Sequence, residues 1–460
     1  MNKAKVYIKS FGCQMNKLDS NLVANAFLEA GFESAESATE ADAVLVNTCS
    51  VRKHAEERVF SLLGHMKHLK QSRPATVVAV FGCMAQRLSS ELKAHEAVNI
   101  VCGPGQIPKL VDMVRDAMDK HHISVAVAED IRSRVTDENA RALDDFEFTY
   151  DSANNNSASQ AYVRIMRGCN NFCSYCIVPY VRGPEVSRRP GAVVEQIKKL
   201  ADTGVKHVIL LGQTVNSYRY ETSAGSVGLA ELLEMVSEID GIEWISFVTG
   251  HPKDFDEKIF RAMASLPKVC PYLHMPAQSG SDRILKAMNR GYSCAEYLEL
   301  VHKAKEIVPS IAVAGDFIVG FPGETDADFA ATVELVKRAE YKNCFIFKYS
   351  PRPGTRSEGK MADDVSAEVK KQRNIELLAV QEQISRRMNE SFAGQRVRVL
   401  VEGLSKKAHL NRAENNDCPQ LIARAATDHI VVFNGPAELA GQFAEVKITK
   451  TSALTLFGQL

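Results

Sequence analysis

Four apolar runs alternate with amphipathic segments along the first hundred residues. Between the runs, the apolar spacing predicts helices over residues 19–30 and 54–69. Continuous apolar runs are typical of strands that are buried on both faces of a parallel sheet; they read KVYIKSFGC, ADAVLVNTC, ATVVAVFGC and AVNIVCGPG. This βαβ alternation predicts an open parallel α/β sheet domain over residues 1–131.

The alternation stops over residues 132–160, a polar stretch rich in Asn, Ser and Asp that we interpret as a linker. From residue 161 onward, strands and helices alternate again in six β/α units. Six units are too few for a closed eight-stranded barrel. We therefore predict a partial (β/α)6 barrel with a wide mouth at the carboxyl ends of its strands. A further amphipathic helix ends at Gly394 and completes this domain, which covers residues 161–393.

Short β-like runs separated by Gly, Asn and Pro follow Gly394. There are five of them, QRVRVLVEG, QLIARA, HIVVF, QFAEVKIT and ALTLFGQL. Five short strands in so few residues predict a small all-β barrel over residues 394–460.

Composition and charge add little to this division. The chain is 45% hydrophobic and 24% charged, with a formal net charge of zero, so only local clusters can indicate a nucleic-acid partner. One such cluster spans residues 370–412, with ten Lys or Arg against four Glu; a plain solvated face explains it equally well. Residues 1–4 are polar, and no stretch approaches a membrane span, so we expect a cytoplasmic protein that contacts no membrane.

Eleven cysteines in a chain without a secretion signal are expected to be metal ligands, redox groups or core thiols. Cys13, Cys49 and Cys83 each follow one of the first three predicted strands. The carboxyl ends of parallel strands meet at one edge of a sheet, so these thiols are expected to converge on a metal or cluster site. The alternative is three buried free cysteines. Cys102 ends the fourth run; we interpret it as a core thiol, although it could be a fourth ligand.

A second triplet, Cys169, Cys173 and Cys176, has the spacing C-x3-C-x2-C after the first strand of the predicted barrel. Zinc sites and ordinary iron–sulfur sites take four protein ligands, so one position is left open. This motif ahead of a six-unit barrel resembles the radical S-adenosylmethionine (SAM) superfamily over residues 161–348. The resemblance implies a 4Fe-4S cluster whose open iron binds the amino and carboxylate groups of SAM; a zinc-type site is the alternative.

Other candidate SAM-binding residues follow the later barrel strands. Gly212 and Gln213 stand where the superfamily's motif for the SAM amino group falls, although the usual Gly-Gly-Glu is absent. The remaining candidates are Thr249, His251, Gln278, Ser279, Asp316 and Gly320. Each has an alternative as a helix cap or turn residue.

Motifs along residues 5–357 resemble the methylthiotransferase family, and within it the tRNA-modifying synthases of the MiaB type. They read FGCQMN, VNTCSVR, FGCMAQ, RGCNNFCSYCIVPYVRG, GQTVNSY, HMPAQSGS, MNRGY and YSPRPGT. The resemblance implies that Cys13, Cys49 and Cys83 hold an auxiliary 4Fe-4S cluster, so that all six cysteines are catalytic. It also implies that the C-terminal barrel is an RNA-binding TRAM domain.

The reaction implied by the resemblance uses two SAM molecules to insert a methylthio group at C2 of isopentenylated (dimethylallyl) adenosine next to the anticodon of tRNA. The implied partners are a tRNA anticodon stem-loop, an electron donor such as flavodoxin or ferredoxin, and a sulfur or cluster donor; we expect a monomer. Two related substrates stay open, threonylcarbamoyl-adenosine in tRNA and a ribosomal-protein aspartate. A cluster-bearing RNA-binding or redox-sensing protein without catalysis is the alternative from another class.

Overall fold

The computed structural model describes residues 3–50, 53–120, 124–128, 137–149, 159–223, 225–405 and 418–460. The chain separates into two structural units. Unit 1 contains Met1–Asn155, Tyr162–Phe172 and Cys176–Gln196, and unit 2 contains Asn156–Ala161, Cys173–Tyr175 and Ile197–Leu460.

Unit 1 is built on a six-stranded parallel sheet with the order β2-β1-β3-β4-β5-β6. Its strands are β1 Lys5–Ser10, β2 Glu33–Ser34, β3 Ala43–Thr48, β4 Val77–Gly82, β5 Ile100–Cys102 and β6 Ser124–Ala126. Its helices are α1 Gln14–Glu29, α2 Lys53–Ser72, α3 Cys83–Arg87, α4 Ser89–Lys93, α5 Leu110–Lys120 and α6 Asp137–Glu147. The predicted open parallel α/β sheet is confirmed.

Helices cover both faces of this sheet, which is why its central strands β3 and β4 are apolar except for Asn47 and Thr48 at the end of β3. Every residue of β3 and β4 is buried. On one face, Phe27 of α1 and Val114 of α5 pack against the sheet. On the other face, Val59 and Leu63 of α2 do so. Two cores with one sheet between them are the arrangement that continuous apolar runs predict.

Helix α6 lies inside the stretch that the sequence pattern interprets as a linker. Its Asp144 and Glu147 are buried in ion pairs with arginines of unit 1. Residues 132–136 and 150–158 of the predicted linker lie outside the described residues. The pattern missed α6 because ion pairs, which leave no apolar periodicity, hold much of the helix in place.

The next elements carry the partial barrel. Six strands form two three-stranded sheets, β13-β10-β7 and β14-β15-β16, which are joined by a parallel bridge between Ile245 and Val269. Two further pairs, β8-β9 and β11-β12, form separate two-stranded sheets. The strands are β7 Gln160–Arg164, β8 Met166–Arg167, β9 Val186–Ser187, β10 His207–Leu211, β11 Arg219–Thr222, β12 Gly225–Gly228, β13 Trp244–Phe247, β14 Tyr272–His274, β15 Ala312–Val319 and β16 Asn343–Lys348. The helices are α7 Val178–Arg182, α8 Pro190–Asp202, α9 Leu229–Ser237, α10 Glu257–Ser265, α11 Asp282–Ala287, α12 Cys294–Ile307, α13 Asp326–Ala339, α14 Arg356–Lys360 and α15 Ala367–Glu390. Six parallel strands, β7, β10, β13, β14, β15 and β16, match the six predicted units.

A closed five-stranded barrel ends the chain, as predicted. Its strands follow the order β17-β18-β19-β21-β20. They are β17 Arg396–Leu404, β18 Gln420–Ala425, β19 Ile430–Asn434, β20 Phe443–Thr451 and β21 Thr455–Gln459. Alternate residues such as Val399, Val401 and Phe433 fill its core. Among the described residues, no helix has the length and apolar character needed to cross a membrane.

Candidate active site with two cysteine sets

The first three cysteines meet at one edge of the sheet of unit 1. Cys13 caps the start of α1 after β1, Cys49 directly follows β3, and Cys83 begins α3 after β4. A hydrogen bond with the Cys49 thiol lowers the pKa of Cys13 to about 6, against the opposing effect of burial. Burial raises the pKa of Cys83, and the nearby Cys13 thiolate adds to that increase. The strand-end positions therefore bring Cys13 close enough to interact with both Cys49 and Cys83.

A glycine and two asparagines shape this group of thiols. Gly12 has φ +147°, and a side chain there would lie 2.6 Å from the Cys49 Cβ. Cys13 donates to Asn16 Oδ1 at 3.2 Å, and Asn16 Nδ2 donates to Asn47 Oδ1 at 2.8 Å. Asn16 and Asn47 are both buried, so their paired amides give the loop before α1 a defined position beside β3.

An arginine of unit 1 also reaches these thiols. Arg182 Nε donates to Cys83 Sγ at 3.1 Å, and its Nη2 donates to Asp19 Oδ2 at 3.2 Å. Asp19 forms a second ion pair with Arg164. Burial alone would raise the pKa of Asp19, but Arg164 and Arg182 outweigh it and lower the pKa. Sequence reasoning assigned these residues no role at the cysteines, although Arg182 stands inside the motif PYVRG and Asp19 stands six residues after Cys13.

The donor set fits an iron–sulfur cluster better than a single ion. Three thiols without a fourth protein ligand are the set that leaves one iron open. No group of three His, Cys, Asp or Glu side chains in the described ranges is close enough to hold one metal ion. Cys102 is fully buried in the core of β5, where burial raises its pKa to about 12.

The C-x3-C-x2-C loop is anchored in each unit separately. In unit 1, the backbone N–H of Cys169 donates to the Gly183 carbonyl at 3.1 Å. Gly168 before it has φ +74°, and a side chain there would collide with the Pro184 carbonyl. Cys176 lies in the same unit. The loop therefore depends on a glycine at position 168.

In unit 2, Arg290 donates to Cys173 Sγ at 3.3 Å and to the Pro276 carbonyl at 2.9 Å. Its Nε also donates to the Tyr292 hydroxyl at 2.9 Å. Arg290 is buried, so its charge lies against the thiol and not in water. The sequence motif MNRGY contains Arg290, but no pattern assigned it to Cys173.

Most candidate SAM-binding residues follow the ends of parallel strands in unit 2. The loops after β10 and β13 are joined by the Val215 N–H to Thr249 carbonyl bond, at 3.0 Å, and by paired bonds of 2.8 Å between Asn216 and His251. The loop after β14 is joined to strand β15 by the Gln278 N–H to Asp316 carbonyl bond, at 2.8 Å. Thr249 and Gln278 both adopt positive φ, of 76° and 73°. Such strain in non-glycine residues often marks a functional site.

Two candidates carry buried polar atoms that need a partner. Within the described ranges, Gln213 Oε1 and His251 Nε2 have no hydrogen-bond partner. Burial, together with Arg290 and Lys253, lowers the pKa of His251 to about 2, so the imidazole is neutral. His251 Nδ1 accepts from the Lys253 N–H at 3.3 Å, which leaves the proton on Nε2 as a donor. A donor and an acceptor are thus available to a polar ligand such as SAM.

The other candidates have more local contacts. Asp316 is hydrogen-bonded to His274 at 3.3 Å and remains partly exposed. Ser279 is buried, and its Oγ accepts from the Ser281 N–H at 3.2 Å, as a turn residue does. Gly320 has φ +69° and packs against Lys370. Gly212 is buried beside Gln213 at the end of β10.

The basic stretch of residues 370–412 is largely neutralised inside the chain. Five of its seven described Lys and Arg side chains form ion pairs, which are Lys370–Asp363, Arg373–Glu324, Arg386–Glu382, Arg387–Glu340 and Arg398–Glu243. Lys370 and Arg373 are buried. Residues 406–412 lie outside the described residues. The net charge of this stretch is therefore a weaker sign of RNA contact than the sequence alone indicates.

Three families match successive parts of the sequence. Residues 5–103 match the uncharacterized protein family UPF0004, residues 163–336 the radical SAM superfamily, and residues 390–460 the TRAM domain. A solved radical SAM methyltransferase, TsrM from Kitasatospora setae, shares the fold with a TM-score of 0.54 at 13% identity, covering 88% of this chain and 79% of that one. Fold and matched regions together define a radical SAM enzyme with a TRAM domain.

Relatives of the same length are similar over the whole chain. The tRNA-2-methylthio-N(6)-dimethylallyladenosine synthase of Rhodopirellula baltica is 43% identical over 458 residues, covering 99% of this chain and 95% of the relative. The synthase of that name from Moorella thermoacetica is 39% identical, covering 100% of this chain and 99% of the relative. The chain belongs to this family of tRNA-modifying radical SAM enzymes.

Proposed function

We propose that this enzyme inserts a methylthio group at C2 of isopentenylated (dimethylallyl) adenosine next to the anticodon of tRNA, using two SAM molecules. The observation that carries the proposal is the meeting of Cys13, Cys49 and Cys83 at one sheet edge, in a chain that also has a C-x3-C-x2-C loop. One cysteine set alone could support SAM cleavage. A second cluster site is what sulfur insertion requires in addition.

The bound clusters supply the electron that cleaves SAM and the sulfur that enters the product. The protein's own residues position the ligands. Cys169, Cys173 and Cys176 would hold one cluster, and Arg290 orients the Cys173 sulfur. Cys13, Cys49 and Cys83 would hold the other.

SAM would lie at the strand ends of unit 2. There, Gln213 Oε1 can accept a hydrogen bond from the SAM amino group, and His251 Nε2–H can donate to an acceptor on SAM. The neutral state of His251 keeps it a hydrogen-bond donor over the physiological pH range. Asp316 and the loops of Thr249 and Gln278 would complete the site. The buried atoms without partners are the main support for this placement.

The remaining parts of the proposal concern partners and location. The TRAM domain would bind the anticodon stem-loop, and flavodoxin or ferredoxin would supply electrons, with a separate donor replacing the sulfur. The enzyme would act as a cytoplasmic monomer. The tRNA in the relatives' name and the TRAM match support the RNA partner, and the reaction requires a source of electrons and a source of sulfur.

The test is an anaerobic reaction of the reconstituted enzyme with SAM, dithionite and an anticodon stem-loop, read by nucleoside mass spectrometry. Stem-loops with adenosine, isopentenyl-adenosine and threonylcarbamoyl-adenosine are compared. We expect the methylthio mass only on the isopentenylated loop. Modification of the threonylcarbamoyl-adenosine loop alone would mean that threonylcarbamoyl-adenosine, and not isopentenyl-adenosine, is the substrate. If 5′-deoxyadenosine forms without any RNA product, the ribosomal-protein aspartate becomes the substrate to test.

Cysteine variants assign the two sets in the same reaction. Cys169→Ala should abolish both 5′-deoxyadenosine and methylthio product. Cys13→Ala should retain 5′-deoxyadenosine and lose the methylthio product. Cys418→Ala is the control, because this exposed cysteine belongs to neither set; it should behave as wild type. Methylthio product from the Cys13 variant would contradict the assigned sulfur-donor site.

A further inference from the structure

Arg182 connects the segment after the C-x3-C-x2-C motif to the auxiliary thiols within unit 1. It ends α7, and its Nε donates to Cys83 Sγ at 3.1 Å while Nη2 donates to Asp19 at 3.2 Å. The Arg182 side chain is 7% exposed and that of Asp19 is 1% exposed. A guanidinium withdrawn from water thus points one N–H at a proposed cluster ligand, which a surface ion pair could not do.

The ion network behind Arg182 carries an excess of positive charge. Asp19 is shared with Arg164, and Arg164 also pairs with Glu147 at 3.2 Å. The connected network has three arginines and two carboxylates, a net charge of +1, from Arg164, Arg167 and Arg182 against Asp19 and Glu147. Buried charge is costly unless a partner of opposite sign neutralises it. Thiolates at Cys13, Cys49 and Cys83 would supply that partner.

We propose that Arg182 is a positioning residue that sets the electronic state of the auxiliary cluster, and that Asp19 holds it in place and moderates its charge. The proposal rests on the proposed function, because it takes Cys13, Cys49 and Cys83 as cluster ligands. Hydrogen bonds to cluster sulfurs and nearby positive charge stabilise the more negative, reduced state. Arg182 therefore favours uptake of one electron by the cluster.

Substitutions of Arg182 and Asp19 should have opposite effects on the reduced state of the cluster, and this distinguishes an electronic role from a structural one. Arg182→Gln removes a positive charge and a charged donor, so the reduced state should become less favourable. Asp19→Asn removes the carboxylate that offsets Arg182, so the reduced state should become more favourable. A purely structural ion pair would make both substitutions act in the same direction, through loss of the fold.

The experiment uses the full chain with Cys169, Cys173 and Cys176 replaced by alanine, so that only the auxiliary cluster assembles. Dithionite supplies the electron, and electron paramagnetic resonance measures the reduced fraction at set solution potentials. For Arg182→Gln we expect a tenfold lower ratio of reduced to oxidised cluster, equivalent to about 59 mV for one electron. Asp19→Asn should raise this ratio above that of the parent protein. Arg182→Lys keeps the positive charge, so its ratio should be close to that of the parent protein.

A matched control lies in the same unit. Arg87 is 9% exposed and pairs with Glu56 at 2.6 Å. It follows Cys83 by one helical turn, but it donates to Ser50 and Glu56 and not to a thiol. Arg87→Gln should change the ratio much less than Arg182→Gln does.

Several outcomes would overturn the proposal. Unchanged ratios with full iron content, or shifts of the same sign in the Arg182→Gln and Asp19→Asn variants, would exclude a role in setting the electronic state. If Arg182→Gln fails to bind iron, the Arg182→Lys variant is the test. Iron binding with a native spectrum in that variant supports the role of the charge. Loss of iron from Arg182→Lys as well would mean that Arg182 has only a structural role. A parent protein that binds no iron would refute the auxiliary site itself, and so the proposed function.

Discussion

Two buried tyrosines behind the barrel make a test of how hydrogen bonds stabilise unit 2. Tyr297 of α12 donates to the Met275 carbonyl at 2.8 Å, and Tyr341 donates to the Tyr297 hydroxyl at 2.7 Å. Both side chains are fully buried. The order of donors means that loss of one hydroxyl is not equivalent to loss of the other.

The expected magnitudes follow from which groups remain unpaired. Tyr341→Phe removes one neutral hydrogen bond and leaves Tyr297 donating to Met275, so it should cost about 0.5–1.5 kcal/mol of unfolding free energy. Tyr297→Phe removes both bonds and leaves the Tyr341 hydroxyl and the Met275 carbonyl without them in the interior, so it should cost about 2–4 kcal/mol. Adding Tyr341→Phe to Tyr297→Phe removes the unpaired hydroxyl. The double variant should therefore be more stable than Tyr297→Phe by about 1 kcal/mol.

The assay is urea unfolding of the cluster-free protein, followed by tryptophan fluorescence. Trp244 is the one tryptophan of the chain and lies in β13, with its ring 4.8 Å from that of Phe443 in the C-terminal barrel. Its signal therefore reports on unit 2, and agreement with circular dichroism tests whether a single free energy applies. Tyr220→Phe, at a less buried position in the same unit, is the control and should cost less than about 0.5 kcal/mol.

The stability of the double variant can refute this reasoning. If the double variant is less stable than Tyr297→Phe by the full cost of Tyr341→Phe, the two hydroxyls act independently. The reasoning from unpaired buried groups would then be wrong for this pair.

Three further predictions concern the cysteine loop, pH and RNA. Gly168→Ala should prevent iron binding at the C-x3-C-x2-C loop, measured as iron per chain, whereas Gly191→Ala, which has open space around it, should not. Burial lowers the pKa of His207 to about 4 from 6.5, so unfolding free energy should fall as pH decreases from 6.5 towards 4. In urea unfolding at pH 7 and pH 5, His207→Gln should lose up to about 2 kcal/mol less unfolding free energy than the wild type; an equal loss in that variant would contradict the assignment. Replacing the exposed Lys447 and Lys450 of β20 by Gln should weaken stem-loop binding and reduce its log–log salt slope by about 0.7–0.9 per lost phosphate contact, and an unchanged slope would mean that neither lysine contacts phosphate.

The sequence predicts the sheets well because their signals are local. Buried parallel strands appear as short apolar runs, and a cysteine at the end of each run is placed at the sheet edge by topology alone. Cys13, Cys49 and Cys83 could be brought together in this way without knowledge of any side-chain contact. The five strands of the C-terminal barrel were predicted for the same reason.

Long-range polar contacts were beyond this kind of prediction. Arg182 and Arg290 are separated from their cysteine partners by 99 and 117 residues. Helix α1 begins at Gln14, five residues before the predicted start, because its first turns bury the polar Asn16, Asp19 and Ser20 as well as apolar side chains. Hydrogen bonds and ion pairs compensate that burial, and no hydrophobic pattern records it.

Two regions of the sequence contribute to unit 1, and this restricts where chimaeras of such enzymes can be joined. Asp19 comes from the N-terminal sheet domain, but Arg164 and Arg182 come from the region that matches the radical SAM superfamily. A fragment of residues 1–155 would bury a carboxylate without its cations, at a cost of several kcal/mol. The N-terminal domain alone thus lacks side chains that its own fold requires. Chimaeras between relatives should fold only when the carboxylate and both arginines are inherited together, so a useful crossover point lies after helix α8 and not at the end of the first sheet.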